Sequence, residues 1–308
     1  MRLCIFTEPQ LGAAYADQLA AARTTEECGF EGYFRSDHYL TMGGDGLPGP
    51  TDSWVTLGAL AVQTSRVRLG TMVSSATFRY PGPLAISVAQ VDAMSGGRIE
   101  LGIGAGWYEA EHTAYAIPFP PTKERFDRLE EQLQILTGLW TTRDRFSFSG
   151  KHYSVTDSPG LPKPVQSPHP PVIVGGRGPR RTPALAARFA AEYNVAFQPP
   201  SVVAAAYGRV DEACAAIGRI DPIVRSTAVT VACGRTPAGA RSRMEAAGVS
   251  DDAVGVSAVA GTPEQVVDGL GPYLEAGAMR LFLQMPDLRD LDHIELIAAE
   301  VAPRLPAS

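Results

Sequence analysis

Two rhythms of apolar positions alternate along the chain. Short apolar runs of strand character fall at residues 2–7, 31–35, 67–73, 98–103, 172–174, 193–197, 223–233 and 279–284. Between them, apolar residues recur every three or four positions at 15–28, 53–64, 83–94, 123–140, up to about 191, 200–217, 263–276 and 290–303. The clearest helix is 123–140, where Leu129, Leu133, Leu136 and Trp140 form one stripe with Glu and Arg opposite. Strand and helix in repeated alternation predict an α/β fold with a parallel sheet. Eight strands close it most naturally as a (β/α)8 TIM barrel, one domain over 1–308. A doubly wound open sheet is the structural alternative. Two insertions break the rhythm, a hairpin near 146–154 around Gly150 and a helical piece near 237–254. A proline-rich connector fills 159–171.

Composition narrows the partners. The net charge of −6 argues against nucleic acid or an anionic membrane and leaves a small molecule as the expected partner. No apolar run approaches the roughly 18 residues of a membrane span. The start, Met1-Arg2-Leu3-Cys4-Ile5-Phe6, runs straight into a strand without a signal-peptide core, so a cytoplasmic location is expected. The cysteines Cys4, Cys28, Cys214 and Cys233 make no Cys-x-x-Cys and read as reduced packing residues.

Candidate chemistry gathers where strands end. Arg35-Ser36-Asp37-His38 closes the second strand and opens onto a glycine- and proline-rich loop, 39–50. In a barrel, that is the catalytic face. Imidazole exchanges protons near neutrality, and a neighbouring carboxylate orients it or binds a ligand. The bland reading makes Asp37 a turn residue and His38 a surface one. The third strand ends in Met72-Val73-Ser74-Ser75, whose small residues suit a flat ring. The fourth ends in Gly104-Ala105-Gly106, followed by Trp107-Tyr108-Glu109. These glycines lack the spacing of a dinucleotide-binding loop and permit a tight turn or close ligand approach. Gly175-Gly176-Arg177 precedes a helix and makes an anion site suited to phosphate. His112 follows Glu109 and Glu111, but no second cluster completes a metal set, and none is expected.

With these segments in view, the chain resembles the luciferase-like flavin-monooxygenase superfamily, and most its branch dependent on the deazaflavin F420. The resemblance rests on Ser36-Asp37-His38, Arg68–Val73, Thr77–Pro81, Gly97–Trp107, Lys123–Phe126, Gly175-Gly176 and Gly261–Gln265. It implies a cofactor ring at the strand C-termini. Asp37 would hydrogen-bond the ring, and His38 would stand by the reacting carbon as proton donor or orienting group. A non-prolyl cis peptide would fall near Met72-Val73, and Gly175, Gly176 and Arg177 would hold the cofactor phosphate. Sugar-phosphate dehydrogenases of this branch carry a catalytic acid directly after the position of Gly106. Here that position is Trp107, and the nearest acid is Glu109.

The function so implied is hydride transfer between F420 and a small organic substrate, with Asp37 and His38 catalytic. Met72, Val73, Ser74, Ser75, Gly104, Ala105, Gly106, Gly175, Gly176 and Arg177 would join Asp37 in binding the cofactor. Trp54, Trp107, Tyr108 and Glu109 would line the substrate pocket. The resemblance also implies a homodimer. The rivals are an FMN-dependent monooxygenase using O₂ on the same fold, a carrier that binds flavin or deazaflavin without catalysis, and a metal-dependent barrel hydrolase.

Overall fold

The computed structural model describes residues 1–306. The first half alternates β1 (Arg2–Thr7), α1 (Tyr15–Glu27), β2 (Gly32–Arg35), α2 (Ser53–Gln63), β3 (Arg68–Thr71), β4 (Ser74–Ser75), α3 (Pro81–Ser95) and β5 (Ile99–Gly104). A short α4 (Glu109–Ala114) and the long α5 (Thr122–Thr141) come next, then a hairpin of β6 (Phe146–Ser149) and β7 (Ser154–Ser158). The second half runs β8 (Val172–Gly175), α6 (Arg181–Phe189), β9 (Glu192–Asn194), α7 (Pro200–Ala216), β10 (Val224–Cys233) and α8 (Pro237–Ala246). It ends with β11 (Ala258–Gly261), α9 (Pro263–Glu275), β12 (Arg280–Met285) and α10 (Leu291–Leu296).

The strands pair in parallel in the order β1, β2, β3, β5, β8, β9, β10, β12, and β12 returns to β1, so the barrel closes. Eight parallel strands with helices between them are the (β/α)8 barrel expected from the pattern. Most side chains facing the helices are aliphatic and bury with the inner stripes of the helices. On α5 the predicted stripe of Leu129, Leu133, Leu136 and Trp140 is wholly inside. The barrel interior holds a second, smaller core of Phe6, Phe34, Met72, Ile173, Ala228 and Phe282.

Three features depart from the sequence pattern. The run 67–73 is not one strand. It breaks after Thr71 at a cis Met72–Val73 peptide, and β4 resumes beside β5. The helical insertion near 237–254 is shorter than expected: α8 stops at Ala246, and one 3-10 turn follows at Asp251–Ala253. An extra strand, β11, then pairs with the last residues of β10 outside the barrel. Its sequence, Ala-Val-Ala-Gly, is too short and small to show a strand rhythm. None of the described helices is long and apolar enough to cross a membrane.

The N-terminal end of the barrel is sealed by charge. Arg280, the first residue of β12, is fully buried. It donates to Glu100 at 2.6 and 3.2 Å and to Glu192 at 2.9 Å, and it lies over Phe34 and Phe282 at 5.0 Å each. Arg68 supplies a second cation to Glu100. Burial opposes the charge on Arg280, but Cys4, Glu100 and Glu192 outweigh it and hold its proton firmly. Burial also opposes ionisation of Glu100, and its two arginines overcome that. Glu192 has one oxygen without a partner, and burial leaves its carboxyl raised.

Candidate active site

Thr7, Arg35 and Thr71 lie side by side in register at the C-terminal ends of β1, β2 and β3. The chain leaves each strand there for the rim. Segments 36–38, 72–75, 104–106 and 175–177 follow β2, β3, β5 and β8, which are consecutive around the barrel. The structure thus brings together residues that are up to 141 positions apart in sequence, 36 to 177.

Arg35 is a buried clamp. Its guanidinium donates to Gln18, Thr51 and Thr56 side chains and to the carbonyls of Ser36 and Thr51. It pins both ends of the 39–50 loop, so that the loop leaves and re-enters the barrel at fixed points. Burial without an ion-pair partner lowers its pKa. Ser36 donates to Gln10 at 2.6 Å.

Asp37 does not face the mouth. Its side chain has no exposed surface. One oxygen accepts from Ser74 at 2.7 Å and Arg79 at 2.5 Å, the other from Arg79 at 3.2 Å. Arg79 also donates to Asp52 at 2.6 Å and to the Tyr39 hydroxyl at 2.9 Å. Asp52 in turn caps α2 by accepting from the amides of Trp54 and Val55. Burial works against the Arg79 charge, but Asp37, Tyr39 and Asp52 outweigh it. Ser74 and Arg79 thus anchor Asp37, and its buried carboxylate fixes the segment from which His38 projects.

His38 does face the mouth, and its acid is Glu111. The imidazole Nδ1 lies 3.0 and 3.1 Å from the two Glu111 oxygens, and the Tyr39 amide donates to the same carboxylate at 3.0 Å. Glu111 is buried on α4. A carboxylate accepts only, so Nδ1 carries a proton, and Nε2 is left without a partner among the described residues, on a ring that meets Trp107 and Tyr108 edge-on. Burial pulls the imidazole down, but Glu111, Glu8 and Asp37 more than offset it, and its pKa is raised. Glu8, just past β1, accepts from Gln284 at 2.5 Å and is raised by burial. His38 thus stands between two acids.

Glu109 is not the partner. It is exposed in the first turn of α4, on the side of Arg125. His112 is structural: Nδ1 donates to the Tyr108 carbonyl at 2.7 Å, and Nε2 accepts from Thr77, which is bonded to Ser75. No group of three His, Cys, Asp or Glu among the described residues is arranged for a metal.

Val73 explains the glycines around it. A Cβ on Gly104 would stand 3.2 Å from the Val73 side chain, and one on Gly175 would stand 2.9 Å from it. The glycines let Val73 project as a ridge across the strand ends, beside Met72, Ala196 and Phe197. Gly106 has φ +79°, and a side chain there would strike Ser75. Ala105 is half-buried against the outer core. At the end of β8, Gly176 and Arg177 are exposed before the N-terminus of α6. Among the described residues Arg177 is held only by Gln198 at 3.3 Å, whereas Arg181 is tied to Asp127. Trp54 is not a pocket wall. It is 5% exposed in the core under α2, and its indole N–H has no partner. Trp107 is 64% exposed, stacked on Tyr108 and edge-on to His38.

The C-terminal end of this parallel barrel thus carries a histidine held by a buried acid, a valine ridge after the third strand, and an exposed glycine and arginine after β8. A model of the luciferase-like monooxygenase family matches residues 1–248, and the chain belongs to that family. It is 39% identical over 169 residues to the F420-dependent glucose-6-phosphate dehydrogenase of Microbacterium testaceum (strain StLB037), a match covering 54% of this chain and 48% of that one. The chain thus spans about half the length of that curated relative. Solved structures share the fold at low identity. An F420-dependent secondary alcohol dehydrogenase bound to an F420-acetone adduct has a TM-score of 0.87 at 19% identity, with 99% of each chain covered. A monooxygenase from Streptomyces bottropensis has 0.80 at 22%, covering 98% of this chain and 99% of that one.

Proposed function

We propose that this protein is an F420-dependent oxidoreductase that exchanges a hydride with a small organic substrate at the C-terminal mouth of the barrel. The observation that carries this reading is His38 at the C-terminal end of β2, partly open to solvent beside Trp107 and Tyr108, with Nε2 unpaired among the described residues while Glu111 holds Nδ1. The residues fit the cofactor. Val73, with Met72, Gly104, Ala105 and Gly106, offers a narrow support for a flat ring, and Gly175, Gly176 and Arg177 offer amides and a loosely held cation for its phosphate. Ser74 and Ser75 act mainly through Asp37 and Thr77. When bound, F420 supplies the two-electron chemistry.

The protein's part is proton handling and orientation. Glu111 keeps His38 protonated toward neutral pH, so His38 can give a proton to an atom that gains electron density. That favours the direction in which substrate is reduced. The outer faces of α2 and α3 support a homodimer: Val55, Val62, Pro83, Ile86, Gln90 and Met94 are exposed there with no charge among them.

Titration of the purified protein with F420 and with FMN, followed by absorption and fluorescence, tests the reading. Saturable F420 binding weakened by Arg177→Ala is expected. Tight FMN binding without F420 binding would move the protein to the monooxygenase reading.

A further inference from the structure

The surroundings of His38 point to a substrate class. Trp107 is the exposed tryptophan of this chain: Trp54 and Trp140 are 5% and 4% exposed. It does not sway free. Its ring stacks on Tyr108 with centroids 5.3 Å apart and planes at 27°, and the Tyr108 hydroxyl donates to the Thr41 carbonyl at 3.0 Å. His38 meets both rings edge-on, at 5.8 Å from Trp107 and 6.1 Å from Tyr108. A large aromatic face held rigid in water beside a proton donor is surface with no use inside this fold.

Charge around the mouth points the same way. The two rim segments flanking His38, 39–50 and 105–121, contain no lysine or arginine. They contribute Asp45, Glu109 and Glu111, and Glu8, just past β1, acts on His38 by its charge. Arg79 is committed to Asp37 and Asp52. Across the rim, Arg235 is paired with Asp292 and Arg289 with Asp287. The loosely held cations, Arg177 and Arg180, belong to the approach to α6, the proposed phosphate site, and Lys123 opens α5 against Arg181 of α6. A phosphate dianion brought to His38 would meet no lysine or arginine on the flanking segments, and His38 itself is already paired with Glu111.

We propose that the substrate is a neutral molecule with a flat apolar or aromatic face that packs on Trp107, and that sugar phosphates are excluded. This rests on the oxidoreductase reading for the word substrate, but the binding surface stands by itself. The mouth thereby differs in kind from what the sugar-phosphate names of its relatives would require. Trp107 is the specificity-determining residue, and Tyr108 holds it.

The test uses the full-length protein, with and without F420, and two probes, 1-phenylethanol and glucose 6-phosphate. Binding is read by calorimetry and by protection of tryptophan fluorescence from acrylamide, which reaches Trp107 and not the buried pair. Saturable, protective binding of 1-phenylethanol and none of glucose 6-phosphate is expected. Trp107→Ala should weaken the aromatic probe roughly tenfold and Trp107→Phe much less. Binding or turnover of glucose 6-phosphate, or no saturable binding of the aromatic probe, overturns the proposal. The F420 titration on the same preparation separates the two readings. Bound F420 with turnover of glucose 6-phosphate sinks only the substrate class. Aromatic binding at Trp107 without F420 binding sinks only the oxidoreductase reading.

Discussion

The two ends of the barrel carry the same chemical unit, a buried arginine between carboxylates, in opposite settings. At the N-terminal end, Arg280 joins Glu100 and Glu192, and the cluster is sealed between Phe34 and Phe282. At the C-terminal end, Arg79 joins Asp37 and Asp52 directly behind His38, which stays partly open. The sealed cluster has no outward atom and can act only on folding and strand register. The other fixes the backbone from which His38 projects, so its order is passed to a group that meets solvent and ligand. Charge burial alone does not mark a site; position along the strands and an atom left unpaired toward the mouth do.

Removing the cation from each end would separate the two roles most strongly. Arg280→Met leaves Glu100 and Glu192 buried around an apolar side chain. A loss of about 3–5 kcal/mol of unfolding free energy is expected, read from denaturant midpoints. Turnover per folded molecule should stay within a few-fold, and a selective loss of activity without destabilisation would erase the contrast. At the other end, His38→Ala should cut kcat by about 10²–10⁴-fold while F420 affinity holds and the loss of stability stays below that of Arg280→Met. Equal loss of cofactor affinity would make His38 a ligand-binding residue instead.

Glu111→Gln sharpens the upper end alone. With the charge gone, the His38 pKa should fall, and the limb of the pH–rate profile that belongs to it should move to lower pH. The same substitution has a signed effect on stability. A raised histidine stabilises fully below its unfolded pKa of about 6.5 and loses that contribution as pH rises through the folded value. The stability gap between wild type and Glu111→Gln should thus be widest near pH 6 and narrow toward pH 8. A gap that widens with pH would mean that Glu111 acts on something other than the imidazolium.

The rhythm of the chain exposed the barrel because core strands and helix stripes are local patterns. Ser36-Asp37-His38 stood out because a strand, an acid and an imidazole are adjacent in sequence. The partners did not. Glu111 is 73 residues from His38, on a six-residue helix with no apolar stripe, and it differs from Glu109 only by which way one turn faces. Asp37 looked available because nothing local shows that Arg79, 42 residues on, fills its oxygens. Trp54 is at the start of an amphipathic helix, and only its packing shows that it points inward. Arg280 gave no sign at all, since an arginine opening a strand is most often exposed.

The smallest expected effect tests the lower end most finely. Glu192→Gln keeps the shape and removes the charge of the carboxyl whose Oε1 has no partner. Arg280 loses one attraction at 2.9 Å, but Glu100 still holds it at 2.6 Å. The variant also relieves the burial of an anion beside Glu100. These opposing changes should leave stability within about 1 kcal/mol of wild type at neutral pH. The pH dependence is the more telling part. Burial raises Glu192 from its ordinary value, so between the unfolded and folded pKa the folded state holds the proton more tightly than the unfolded chain does. Its contribution is present below the unfolded pKa of about 4.3 and is lost as pH rises through the folded value. Glutamine has no such loss. The variant should gain on wild type as pH climbs from 5 to 8, and denaturation curves at those two values decide it. A variant that instead falls behind with rising pH would show Glu192 to be ionised and fully matched to Arg280. The sealed end would then be a balanced ion cluster in which every charge is needed.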